Sequence, residues 1–293
     1  MPIHPQTHIG AVHLTVADLE RSLIFYRQQL GFADVWLRDG SAGLGVADRV
    51  LLVLHESEHA PRPHRTTGLY HFAILVPSRL ELARSLRHFA EIGTRMQGFS
   101  DHQVSEALYL ADPDGIGIEV YRDRPREEWR TSGGRLQMTT DPLDVENLLQ
   151  EAEADAKASG QPWSGLAPGT TIGHVHLHVS FIEDSEQFYR EVLGFDLTQR
   201  YGESASFMSA GGYHHHIAVN VWAGIGAPHP PAGAIGLEHF EIVLPTATAL
   251  DDVARRINAA GVAAGIAEDV VRVSDPAGNR IELIAIPKDS HEG

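Results

Sequence analysis

Histidine is the residue whose type and spacing promise chemistry in this chain. The stretch Ile172-Gly-His-Val-His-Leu-His-Val179 reads as a β-strand, in which alternate residues point to opposite faces. His174, His176 and His178 therefore share one face. Further histidines stand at His71 and His239, in two other strand-like stretches, and in the run His214-His215-His216. An imidazole can ligate a transition metal or exchange a proton near neutral pH. Two histidines and a carboxylate on one face make an open site suited to non-haem Fe(II), with adjacent positions left for substrate and oxygen. A solvated strand edge would also tolerate a row of histidines, and a second copy of the stretch argues against that reading.

That copy is His8-Ile-Gly-Ala-Val-His-Leu-Thr-Val16, followed by a helix over Asp18–Leu30 that contains Phe25-Tyr26, and then Leu30-Gly-Phe32. Ser185-Glu-Gln-Phe-Tyr189 and Leu193-Gly-Phe195 follow the second copy at the same offset, 163 residues on (174 − 11 and 188 − 25). Another pair repeats as well, Gly68-Leu-Tyr-His-Phe-Ala-Ile74 against Gly236-Leu-Glu-His-Phe-Glu-Ile242. Each ends in a matching turn and strand, Asp112-Pro-Asp-Gly-Ile-Gly-Ile-Glu119 and Asp275-Pro-Ala-Gly-Asn-Arg-Ile-Glu282. Internal repeats fix an architecture before any site is considered. The chain reads as four modules, each an alternating strand, an amphipathic helix and short strands broken by Gly, Asp and Pro turns.

Composition narrows the function. A chain of 293 residues can hold two domains with their own cores. A net charge of −16 disfavours binding to a phosphate backbone, so no nucleic-acid partner is expected. The absence of cysteine excludes disulfides, thiolate metal sites and cysteine nucleophiles. No apolar run is long enough to span a bilayer and no signal pattern opens the chain, which reads as cytoplasmic and without a membrane partner.

The modules span about Ile9–Leu54, Gly68–Arg122, Thr171–Trp222 and Leu237–Ile286, with a helix over Arg79–Ile92 in the second. His55, Glu56, His59 and His64 read as solvated loop. The stretch from Asp141 reads as an N-capped helix with an acidic face, within a linker between the halves. The tail Pro287–Gly293 reads as disordered.

This pattern resembles the βαβββ modules of the vicinal oxygen chelate superfamily (glyoxalase, bleomycin resistance and extradiol dioxygenase), and in particular its two-domain, catechol-2,3-dioxygenase-like members. The stretches Gly68–Leu75, Ser105–Gly115 and Gly211–His216 carry the likeness most clearly. The resemblance implies an α+β fold of four βαβββ modules, arranged as two vicinal-oxygen-chelate domains with half-barrel sheets. The expected domains are residues 1–125, a linker with a helix over 126–170, and residues 171–293.

In the family, metal ligands come from the first inward residue of two opening strands and from a Glu on a closing strand. The corresponding opening positions here are Ala11, His71, His174 and His239, and the closing ones Glu119 and Glu282. Ala11 breaks the pattern, and His13 is a poor substitute. His174 belongs to any workable set, completed by His71 with Glu119 or by His239 with Glu282. Tyr109, ten residues before Glu119, matches a tyrosine that bonds the substrate in ring-cleaving relatives, whereas Arg272 holds the matching place before Glu282. His71, Glu119 and His174 are therefore the expected set, with His239 and Glu282 as the alternative.

The run before Ile217 resembles the His-His of extradiol dioxygenases, and alignment on Ile-Ala gives the acid–base role to His215, where strand alternation would group His214 with His216. His102, His176, His214 and His216 are expected around the ligands or the substrate pocket. The implied activity is Fe(II)-dependent extradiol cleavage of a catechol-type substrate with O₂. Mn(II) accepts the same ligands, and a homo-oligomer is compatible with the pattern. Two alternatives are a metal-dependent glyoxalase-like isomerase or lyase, which would want a fourth protein ligand, and a metal-free binding protein, which would want apolar residues at the ligand positions.

Overall fold

The structure is a computed structural model that describes residues 1–132, 135–267 and 269–286. The tail expected to be disordered, residues 287–293, lies outside the described residues. The strands of module one are β1 (His8–Val16), β2 (Ala33–Arg38), β3 (Ser41–Val46) and β4 (Arg49–Glu56). Module two contributes β5 (Gly68–Leu75), β6 (Met96–Asp101), β7 (Ser105–Ala111) and β8 (Gly117–Asp123). After the two-residue strands β9 (Thr131–Ser132) and β10 (Arg135–Leu136), module three holds β11 (Thr171–His178), β12 (Asp196–Tyr201), β13 (Ala205–Ser209) and β14 (Ile217–Asn220). Module four holds β15 (Gly236–Leu244), β16 (Ala264–Ala267), β17 (Val270–Ser274) and β18 (Arg280–Ala285).

Each module adopts the same strand order, opening strand, then fourth, third and second: β1-β4-β3-β2, β5-β8-β7-β6, β11-β14-β13-β12 and β15-β18-β17-β16. In modules two, three and four the opening and closing strands are parallel and the other neighbours antiparallel. Parallel neighbours need a crossover, and a helix supplies it. The helices are α1 (Leu19–Gln28), α2 (Arg79–Ile92), α3 (Val145–Ser159), α4 (Ile182–Gln187, continued as a π turn over Phe188–Leu193) and α5 (Ala247–Ala259). No helix of the described residues is long and apolar enough to cross a membrane.

Two compact units result, one of Met1–Val12, Arg62–Tyr70 and His174–Gly293, the other of His13–Pro61 and His71–Gly173. In the second, α2 starts at Ser78, whose hydroxyl accepts the Glu81 N–H, and ends at Gly93 in the left-handed region at φ 72°. Leu82, Leu86 and Phe89 form its buried stripe. The capping residue of α3 is Asp144, which accepts the Asn147 N–H at 3.0 Å. Asp141 instead exchanges backbone hydrogen bonds with Asp101, at 2.9 Å each way. Arg84 then grips Asp155 through two bonds of 2.8 Å, which ties α3 to α2.

A buried pair recurs in both units. Tyr26 donates to Asp112 at 3.0 Å, and Tyr189 donates to Asp275 at 3.0 Å. The other oxygen of each Asp closes its own turn, taking the N–H groups of Asp114 and Ile116, or of Ala277 and Asn279. Burial pushes the Asp112 carboxyl up to about 6 and that of Asp275 upward as well.

Candidate metal centre and active site

In module two the register builds a site on one sheet face. Ala73 lies opposite Glu119 on the parallel neighbour, and Tyr109 lies opposite Glu119 on the antiparallel one. Residues two apart share a face, so His71 joins Glu119 and Tyr109 there. His71 Nε2 is 3.1 Å from Glu119 Oε2, and both side chains are buried. The rings of His71 and Tyr109 are 5.8 Å apart. Ala73 and Ala107, on the same face, pack with Tyr121 beneath Tyr109.

His102 holds Tyr109. Its Nε2 is 2.8 Å from the Tyr109 hydroxyl, and its Nδ1 is 2.6 Å from the carbonyl oxygen of Thr139. A carbonyl only accepts, so Nδ1 carries a proton. A neutral His102 then accepts the Tyr109 O–H at Nε2 and leaves the phenol oxygen as an acceptor. A second proton on the ring reverses that bond and frees the phenol hydrogen.

In module three, His174 is buried and stands over the histidine run. Its ring lies 4.1 Å from that of His215 and 6.2 Å from that of His214. The run was expected to alternate as part of a strand, but β14 begins only at Ile217, so alternation does not sort these residues. They occupy the turn before it, where His214 Nδ1 and His215 Nδ1 are 2.8 Å apart. His216 faces inward, its Nδ1 accepting the Ala210 N–H at 3.2 Å. His176 packs against Phe207 and Trp222, with ring centroids 5.8 and 5.2 Å away. His178 Nδ1 is 2.7 Å from Asn220 Oδ1.

The alternative carboxylate meets different company. In module four Glu282 lies opposite Glu241 on one side and Arg272 on the other. Arg272 Nε donates to Glu282 at 2.6 Å, while His239 Nε2 stays 3.9 Å from that carboxylate. The His239 and Glu282 side chains are 15% and 21% exposed, against 8% and 3% for His71 and Glu119. A guanidinium supplies here the positive charge that a metal would supply, and His174 stands in a different sheet from both residues. In module one the Ala11 N–H donates to Glu241 at 2.9 Å. His55, expected in a solvated loop, belongs to β4 and stacks on His13 with centroids 5.6 Å apart. Glu56 likewise caps α1 by accepting the Leu19 N–H at 2.9 Å.

Sequence spacing pointed to His71, Glu119 and Tyr109. It did not reveal the Tyr109–His102 bond or the hold of Thr139 on His102, which depend on a segment outside the repeat. Nor did it reveal that Arg272 engages Glu282, although ten-residue spacing across a hairpin is the signal that could have done so.

Known proteins resemble this chain along most of its length. Residues 7–120 and 171–283 match the family model described as the glyoxalase/bleomycin resistance protein/dioxygenase superfamily. A catechol-2,3-dioxygenase of Bacillus subtilis (strain 168) is 50% identical over 280 residues, covering 94% of this chain and 95% of that protein. Among solved structures, glyoxalase I from Zea mays superposes with a TM-score of 0.57 at 15% identity, covering 96% of this chain and 92% of that one. The cppA protein of Streptococcus pneumoniae TIGR4 superposes with a TM-score of 0.51 at 12% identity, covering 95% and 99%. At such identities these two likenesses speak to the fold alone. With its four βαβββ modules, two matched regions and a half-identical relative, the chain belongs to the glyoxalase/bleomycin resistance protein/dioxygenase superfamily.

Proposed function

We propose that this protein is an Fe(II)-dependent extradiol dioxygenase that cleaves a catechol-type substrate with O₂, and that His71, Glu119 and His174 hold the metal. The observation that carries the reading is the 50% identity to a catechol-2,3-dioxygenase along nearly the full length of both chains. The donor chemistry fits. Two imidazoles and one carboxylate, all buried, suit Fe(II) and leave positions open. Mn(II) would accept the same donors. Held by these residues, Fe(II) would supply the one-electron chemistry by which a catechol reacts with O₂.

The remaining steps belong to the chain. His215, half-buried beside His174, accepts a proton from a catechol hydroxyl and later returns it as a general acid. Tyr109 sits over the His71–Glu119 pair and bonds the substrate oxygen, with His102 setting which partner donates.

The test is oxygen uptake by protein loaded anaerobically with Fe(II) and given catechol, with the visible spectrum recorded. Uptake coupled to absorbance from a ring-opened product is the expected result. Stoichiometric iron without uptake across several catechols would turn the reading towards an isomerase or lyase.

A further inference from the structure

We propose that Tyr70, His176, Phe207 and Trp222 form a wall for the substituent of the substrate ring, and that this wall selects catechols bearing an uncharged aryl or alkyl group over carboxylated ones. The proposal rests on the dioxygenase reading and concerns the part of the substrate that reading leaves unassigned.

The wall runs on from His174. From His174 the rings run to His215 at 4.1 Å, to Phe207 at 5.1 Å, to His176 at 5.8 Å, and then to Trp222 and Tyr70 at 5.2 Å each. Tyr70 and Trp222 close the series edge-to-face at 5.1 Å. The sheet register explains how Phe207 and His176 approach. Ala218 on β14 pairs with His176 on one side and Phe207 on the other, and its methyl is too small to keep the rings apart. The far end opens outward, with Trp222 49% and Tyr70 41% exposed.

The wall is also held in place. Asn220 is fully buried, and its Oδ1 accepts the Trp222 backbone N–H at 2.9 Å while lying 2.7 Å from His178 Nδ1. An amide oxygen only accepts, so His178 donates there. The His178 ring lies 5.0 Å from that of Tyr70. A rigid, partly solvent-exposed row of rings offers stacking and apolar area to a planar or alkyl group. An uncharged aryl or alkyl group laid along these rings gains stacking and apolar contact, whereas a carboxylate laid there would give up hydration.

The experiment uses the full chain and two readouts. Without oxygen, 3-phenylcatechol and 4-phenylcatechol are titrated while tryptophan fluorescence is followed in the native protein and in Trp222→Phe. Saturable quenching by at least one of them, lost in Trp222→Phe, is expected. In air, with Fe(II) loaded, kcat/KM is compared for the phenylcatechols, catechol and 3,4-dihydroxybenzoate. The better phenylcatechol should exceed 3,4-dihydroxybenzoate by at least about tenfold, and its ratio to catechol should fall about tenfold in Trp222→Ala and in Phe207→Ala. Equal or better turnover of 3,4-dihydroxybenzoate would overturn the wall, as would an unaltered ratio in both variants. Quenching without oxygen uptake from any catechol would support the wall and count against the dioxygenase.

Discussion

Arg272 lies directly opposite Glu282 on the neighbouring strand and donates its Nε–H to that carboxylate at 2.6 Å. Tyr109 holds the same place opposite Glu119 in module two, where it leaves the carboxylate to His71 at 3.1 Å. One residue type thus separates two modules with the same strand order. The Arg272–Glu282 pair is half-exposed, and solvent screens such pairs to about 1 kcal/mol or less. Arg272→Ala should therefore shift the urea midpoint only slightly, and a larger loss would show that the arginine does more than neutralise Glu282.

Tyr109 and His102 act as a unit. Tyr109→Phe removes the hydroxyl proposed to bond the substrate, and losing one such polar contact typically slows kcat by roughly 10²- to 10³-fold. His102→Ala should slow it less, and the double variant should be no slower than Tyr109→Phe. Additive losses would show that the 2.8 Å contact between them is incidental.

His215 and His216, in the run before β14, should separate cleanly. His215→Ala should keep its iron while kcat falls roughly 10²- to 10⁴-fold, the usual worth of a general acid–base. His216→Ala leaves the buried Ala210 N–H without its acceptor and should cost about 1–3 kcal/mol of stability. Iron analysis and denaturation of both proteins check the assignment.

Asp112 gives the fold a pH signature. Burial, the largest cause, lifts its carboxyl from 3.8 to about 6, so the folded state holds a proton that the unfolded chain has already released. Its contribution is fully favourable below about 4 and is lost as pH rises through 6. The loss integrates to about 3 kcal/mol, an upper figure for a group whose charged form also accepts hydrogen bonds. Asp112→Asn removes this titration, so its stability should fall less than the parent's between pH 4 and 7. Parallel curves would contradict the assignment.

Gly173 sets the entry to His174. A Cβ built there would lie 1.7 Å from the Tyr121 hydroxyl, in a region with no room to yield. Gly173→Ala should cost 1–3 kcal/mol or more through overpacking. Tyr121→Phe should recover part of the loss in the double variant, as measured by urea denaturation.

Much of this was legible in the chain because the repeat is strict. The 163-residue offset that aligns Ala11 with His174 also aligns Tyr26 with Tyr189 and Asp112 with Asp275, and the aligned residues form the same bonds. Tyr109 was singled out by its place ten residues before Glu119, which matches a tyrosine of the resembling family, and its facing of Glu119 across the hairpin came from the structure. Contacts made by segments outside the repeat were not legible: Thr139 on His102, Asp144 as the cap of α3, and α3 tied to α2 by Arg84. The histidine run misled because Tyr213-His-His-His looks like strand, while the turn that precedes it delays β14 until Ile217.

The most direct test is the iron content and catechol-dependent oxygen uptake of His71→Ala beside His239→Ala, each loaded anaerobically with Fe(II). The expected result is that His71→Ala loses both, while His239→Ala keeps roughly one iron per chain and its oxygen uptake. Retention of iron and activity by His71→Ala, with loss of both in His239→Ala, would contradict a centre built on His71 and Glu119.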